Sequence, residues 1–235
     1  MKISKYKNLY QITYLPTMFP INCFVIEQEQ KLLVIDMGVR PFADQVKKIS
    51  EQTGKKVSHL LLTHAHADHV NGVPHFRQLF PDVSIGISKR DSLLLTGDFE
   101  LKKGESQKKI KGGFPNTQIP FDFTMEDKEQ IEGISVVESP GHTPGSISFY
   151  EPNHQLLIVG DAFQIRGGLA VSGTLNLLFP FPKFATWDED KALNSAKRLT
   201  AFQPKLLAVG HGNMRQEPQQ AMQQAIQKAE SRKSS

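Results

Sequence analysis

The segment His64-Ala65-His66-Ala67-Asp68-His69 places four metal-binding side chains within six residues. Neutral imidazole and carboxylate are ligands that suit zinc and related first-row metals. The two alanines leave room for the backbone to bend closely around an ion. Just upstream, His59-Leu60-Leu61-Leu62-Thr63 is an apolar, strand-like run. The ligands therefore stand where a buried strand ends and a loop begins, a common place for reactive groups. One histidine there reads as a solvated loop residue or a core residue with a satisfied hydrogen bond. Three histidines and an aspartate at this spacing read as a metal site.

Three further strand ends repeat the design. Residues 133–138 are short, apolar and β-branched, and they give way to Ser139-Pro140-Gly141-His142-Thr143-Pro144-Gly145, turn formers around one histidine. Leu156-Leu157-Ile158-Val159-Gly160 reads as a buried strand with Asp161 directly after it, and Leu206-Leu207-Ala208-Val209-Gly210 repeats that pattern before His211. Glycine beside a ligand permits positive φ and close backbone approach, while the strand holds the ligand rigidly. Taken singly, Asp161 is an N-cap or turn residue, His142 a turn cap and His211 an exposed loop residue. Together the seven groups fit a two-metal site. His59, His75 and His154 lack this setting and receive no role.

These residues resemble the HxHxDH motif, later His, bridging Asp and final His of the metallo-β-lactamase-fold hydrolase superfamily. His64, His66, Asp68, His69, His142, Asp161 and His211 follow the family's order, and the resemblance runs from Leu33-Val34-Ile35-Asp36-Met37-Gly38 to Gly212. It implies an α/β fold, a four-layer αββα sandwich of two mixed sheets flanked by helices, as a single domain over residues 1–235. It also implies that His64, His66 and His142 hold one metal and Asp68, His69 and His211 a second, with Asp161 bridging. The expected cofactors are two zinc ions, with iron or manganese as alternatives. The activity implied is hydrolysis of a small ester, thioester or lactone by a zinc-bound hydroxide that Asp68 helps to orient. The alternatives are a phosphodiesterase or nuclease and an iron-dependent enzyme like the persulfide dioxygenases.

True β-lactamases of the superfamily generally lack the bridging carboxylate, so the resemblance is to its glyoxalase II and lactonase side. Many lactonases place a tyrosine three residues after that aspartate, where this chain has Gln164. Glyoxalase II enzymes typically carry a helical C-terminal domain, whereas a short tail follows His211 here.

Composition agrees with a compact enzyme. At 235 residues the chain can form one large core or two fused halves. The lone cysteine, Cys23, cannot make an internal disulfide and reads as a small buried hydrophobe. No signal peptide or membrane span is evident, which predicts a cytoplasmic protein. The net charge of +4 is concentrated at Lys102, Lys103, Lys108, Lys109 and Lys111. That cluster reads as a solvated loop; a nucleic-acid partner would call for interleaved aromatics or an extra arm, so the expected partner is a small molecule.

The elements that must position these groups are legible in outline. Strands are expected over residues 9–14, 21–28, 31–36 and 83–87, and helices over 41–52, 72–80, 188–202 and 217–228, before a frayed Ser-Arg-Lys-Ser-Ser tail. Residues 164–187 combine Gly167, Gly168 and Gly173 with Leu177, Leu178, Phe179, Phe181, Phe184 and Trp187. This stretch reads as a buried hydrophobic loop or as an apolar wall beside the metals, suited to an acyl or aromatic group. Thr17-Met18-Phe19-Pro20 reads as a hairpin tip.

Overall fold

The computed structural model describes residues 1–176 and 178–232. The expectations placed on Leu177 and on the end of the tail, residues 233–235, lie outside the described residues. The chain divides into two compact units, residues 1–96 with 113–125 and residues 97–112 with 126–235.

The first unit is built on a seven-stranded sheet ordered β1 (Lys2–Tyr6), β2 (Leu9–Tyr14), β3 (Ile21–Glu27), β4 (Lys31–Ile35), β5 (Lys56–Leu61), β6 (Ser84–Ser88) and β7 (Phe123–Met125). The pairings from β1 to β4 are antiparallel, and those from β4 to β7 are parallel. β3 and β4 are buried at nearly every position, which is why their apolar runs do not alternate. β1 escapes a hydrophobicity reading because Lys-Ile-Ser-Lys-Tyr is polar, and its lysines suit its place at the sheet edge. Helix α1 (Arg40–Thr53) turns Phe42, Ala43, Val46 and Ile49 inward and stops at Gly54, whose φ is 69°. The short helices α2 (Ala67–Val70), α3 (Val73–Leu79) and α4 (Lys89–Leu95) complete the unit. Ser88 caps α4 by accepting a hydrogen bond from the Asp91 N–H at 3.1 Å.

The second unit carries a six-stranded sheet made of β8 (Gln130–Ile131), β9 (Ile134–Glu138), β10 (Ile147–Glu151), β11 (Leu156–Ile158), β14 (Leu206–Ala208) and β15 (Arg215–Gln216), ordered β15-β14-β11-β10-β9-β8. A separate hairpin pairs β12 (Phe163–Gln164) with β13 (Ala170–Val171). Helices α5 (Phe181–Ala185), α6 (Glu189–Thr200) and α7 (Gln219–Ser231) follow; α5 lies in the apolar stretch expected to be a loop. Leu193, Ala196 and Leu199 of α6 and Met222, Ala225 and Ala229 of α7 pack into one core with Leu157, Phe163, Val171 and Leu207. Each such leucine or phenylalanine contributes about 1.5–3 kcal/mol by leaving water.

Asp188 caps α6 by accepting from the N–H groups of Asp190 and Lys191. Burial pushes its carboxyl upward, but hydrogen bonds from Ser106, those two N–H groups and Lys108 outweigh it and hold the pKa down at about 2. The lysine-rich segment is partly ion-paired, Lys102 with Asp98 and Lys108 with Asp188 and Asp190. Cys23 is buried, which pushes its thiol pKa up. Among the described residues no helix is long and apolar enough to cross a membrane.

Candidate metal centre

In the first unit the candidate ligands are set by the end of β5 and the turn into α2. The strand begins earlier than expected, at Lys56, so His59 lies inside it, stacked edge-on against Phe123. Beyond Leu61 the chain leaves the ladder, and His64, His66 and His69 are all buried. Their rings are gathered closely, His64 4.9 Å from His66 and 4.0 Å from His69 between centroids. Asp68 sits in the first turn of α2. The Met37 N–H donates to the His69 carbonyl at 2.8 Å, and the Gly72 N–H donates to the Met37 carbonyl at 2.7 Å. Gly38 is required by contact: a Cβ there would stand 1.7 Å from the Asp68 carbonyl oxygen.

Asp36 organises this half and was not singled out by sequence reasoning. It ends β4 in the left-handed region (φ 61°), a conformation aspartate tolerates, and it is fully buried. Its Oδ1 accepts from the Thr63 N–H at 2.7 Å, and its Oδ2 lies 2.8 Å from both the Thr63 hydroxyl and His69 Nδ1. The carboxylate only accepts, so the Thr63 hydroxyl donates to it and His69 carries its proton on Nδ1. Thr63 Oγ1 then accepts from His64 Nδ1 at 3.0 Å. Both imidazoles are left with a lone pair on Nε2, the form that binds a metal. A second buried carboxylate, Asp91, accepts from the Ala65 N–H at 2.9 Å and pins the loop between the first two histidines. The signal for Asp36 was available: an acid ends the apolar run Leu32-Leu33-Val34-Ile35 just as Asp161 follows Leu156-Leu157-Ile158.

In the second unit, register accounts for the placement of two candidate ligands. β11 and β14 are parallel with Ile158 opposite Ala208, so Asp161 and His211 each follow three residues beyond a matched pair. The Gly210 N–H donates to the Gly160 carbonyl at 2.7 Å and ties the two turns together, with Gly160 at φ 49°. These strands end two residues sooner than expected because Gly160 and Gly210 already belong to the ligand turns. Asp161 Oδ2 stands 3.3 Å from His142 Nε2 and 3.1 Å from His211 Nε2, all three side chains buried.

The loop of His142 is held by the start of α6. Its carbonyl accepts from the Trp187 N–H at 3.0 Å, and the Gly141 carbonyl accepts from the Asp188 N–H at 2.9 Å. Gly141 has φ 141° and no room for a Cβ, which would lie 2.2 Å from the Ala192 nitrogen. A chain of hydroxyls sets the ring's tautomer. Thr186 donates to the Pro182 carbonyl, Ser172 then donates to Thr186 at 2.8 Å, and Ser172 accepts from His142 Nδ1 at 3.0 Å. His142 Nε2 therefore carries a lone pair as well, and it faces a carboxylate oxygen. Two electron-rich atoms that close repel one another unless a cation lies nearby, so the residues fit a metal.

Besides the residues that hold His142, the apolar stretch brings Phe179 to this half. Phe179 is buried with its ring 5.3 Å from that of His211, while Leu178, Phe181 and Phe184 are exposed. His75 lies in α3 beside Asp44, and His154 lies in a turn beside Glu151, both apart from the ligand groups named above.

The fold and the donor set define a metallo-hydrolase. A model of the metallo-beta-lactamase superfamily matches residues 16–211, and the chain belongs to that superfamily. The uncharacterized protein YobT of Bacillus subtilis is 44% identical over 230 residues, covering 97% of this chain and 99% of its own length. The hydroxyacylglutathione hydrolase GloC of Haemophilus influenzae is 29% identical over 160 residues, or 65% of this chain and 71% of its own. The crystal structure of TTHA1623 in a di-iron-bound form matches with a TM-score of 0.64 at 26% identity, covering 90% of this chain and 96% of that one. The fold is the metallo-β-lactamase fold, two mixed sheets flanked by helices.

Proposed function

We propose that the chain hydrolyses small acyl compounds, an ester, thioester or lactone, with the help of two zinc ions. His64, His66 and His142 would hold one ion and Asp68, His69 and His211 the second, with Asp161 as the ligand shared by the two. Each of these residues supplies a metal-type ligand atom. The observation that carries the reading is Asp161 Oδ2, which is shared almost evenly by two imidazole nitrogens at 3.3 and 3.1 Å. A carboxylate shared by two cations would present an oxygen to ligand nitrogens of both groups, as Asp161 Oδ2 does here.

When bound, such a pair lowers the pKa of a water toward ~7 and stabilises charge on the attacked carbonyl and the leaving atom. The protein's own part is orientation. Asp36 and Thr63 hold His69 and His64 in the ligating tautomer, Ser172 does the same for His142, and Phe179 covers one side of His211. Asp68 accepts a hydrogen bond from the attacking water and so aims its lone pair at the carbonyl. GloC, whose name states a thioester substrate, supports the thioester among these choices. A second reading, iron with oxygen chemistry on a persulfide, draws support from the di-iron relative.

The test is a panel of thioester, lactone, aryl ester and phosphodiester substrates on purified protein of measured metal content. The expected result is turnover of an acyl substrate, with Asp161→Ala and His142→Ala losing both metal and turnover. Cleavage of the phosphodiester alone, or stoichiometric iron with oxygen uptake on a persulfide, would overturn it.

A further inference from the structure

A cleft of about 100 Å³ opens in the second unit, where the end of the hairpin β12–β13 meets α5, α6 and α7. That volume holds several water-sized groups. Part of its lining is apolar: Val171 and Ala229, both members of the core of this unit, and Leu175. Its charged groups are Lys183 of α5, Glu189 of α6 and Arg232 at the end of α7, two cations against one carboxylate.

Arg232 carries the surplus charge. Its Nη1 donates to the Leu175 carbonyl at 2.8 Å, and among the described residues no carboxylate pairs with it. Lys183 is held by two long bonds, 3.3 Å to the Gly173 carbonyl and 3.2 Å to Glu189, and three protons are available on its ammonium group. A guanidinium fork and an ammonium group beside an apolar surface suit a ligand with a carboxylate at one end and an alkyl chain at the other.

We propose that this cleft binds a short-chain aliphatic carboxylate, with its head group on Arg232 and Lys183 and its chain against Val171, Leu175 and Ala229. One negative charge on the ligand balances the surplus. None of the seven candidate metal ligands lines the cleft, and the proposal holds whatever the metal centre turns over. Occupancy reaches His142 through the wall of the cleft. Gly173 follows Ser172 and Lys183 follows Pro182, and Ser172, Thr186 and the Pro182 carbonyl form the chain that holds His142 Nδ1. A carboxylate bonded to both cations fixes Lys183 against the turn at Gly173 and so steadies that chain. Carboxylate and metal therefore favour one another's binding, by the same factor in both directions.

The test compares zinc-loaded wild type with Arg232→Gln and Lys183→Met, each melted in butyrate, butyramide, phosphate or chloride at matched ionic strength. Butyrate should raise the wild-type Tm, and each variant should need about tenfold more butyrate for the same rise. Butyramide, of the same size without the charge, should give no rise. Without ligand both variants should melt within about 2 °C of the wild type, because neither cation is fully buried and exposed ion pairs contribute little. Any rise from butyrate on the zinc ions themselves appears equally in all three proteins. An equal rise in all three therefore overturns the site, and a larger Arg232-dependent rise with phosphate overturns its assignment to a carboxylate. Zinc affinity, read by competition with a chromophoric chelator, should increase about fivefold in saturating butyrate for the wild type but not for Arg232→Gln. A wild-type zinc affinity that butyrate leaves unchanged overturns the link to His142.

Discussion

Replacing Asp36 by asparagine changes one oxygen to nitrogen in a fully buried group, and the consequence can be followed atom by atom. Asparagine tolerates the left-handed φ of 61° as aspartate does, so the backbone is not disturbed. Its amide oxygen must face the Thr63 N–H, which now donates to Oδ1 at 2.7 Å, because a donor there would meet a donor. The NH2 group then faces His69 Nδ1, where a carboxylate oxygen accepts at 2.8 Å in the native chain. That nitrogen must now accept, so the imidazole proton moves to Nε2, the atom needed by a metal. Thr63 also loses part of its acceptor, which loosens the hydroxyl that holds His64.

Loss of an outer carboxylate of this kind costs about 10- to 100-fold in metal affinity, or roughly 1.4–2.8 kcal/mol. The assay is competition with a chromophoric chelator, alongside thermal melting of the metal-free protein. The expected result is weaker metal binding, with a metal-free Tm lowered far less than that of Asp36→Ala. The alanine variant leaves the Thr63 N–H and His69 Nδ1–H without acceptors, at about 1–3 kcal/mol each. Wild-type metal affinity in Asp36→Asn would refute the tautomer argument.

Gly38→Ala places a methyl group where the Asp68 carbonyl stands, 1.7 Å away, so α2 must shift; metal-dependent turnover should fall by about 100-fold, and retention of wild-type turnover would show that the turn into α2 can yield. Glu27 accepts from Lys55 at 2.8 Å and from Lys5 and Tyr10 at 3.0 Å, and these bonds, that of Lys55 foremost, hold its pKa down at about 2 despite partial burial. A carboxyl depressed in the folded state contributes stability above its unfolded pKa of about 4.3 and loses that contribution as the pH falls toward 2. The difference in Tm between wild type and Glu27→Gln should therefore be largest near neutrality and shrink between about pH 5 and pH 2. A difference that stays constant over that range would show that the ion pairs contribute nothing.

The candidate donors could be picked out in the sequence because chemistry constrains such groups locally. Imidazole and carboxylate are needed at strand ends, and runs such as Leu156-Leu157-Ile158 and Leu206-Leu207-Ala208 announce those ends through unbroken hydrophobicity. Helices α1 and α6 were legible for a similar reason, since burial of one face imposes its period on the sequence. What held the donors in place was not legible. Asp36, Thr63, Ser172 and Thr186 act on histidines through bonds that depend on strand order and on where a loop returns, and a linear string carries neither. β1 was hidden because an edge strand paired on one side can be polar. The cleft at Arg232 became visible only in three dimensions, because a hairpin end and three helices far apart in the sequence supply its walls.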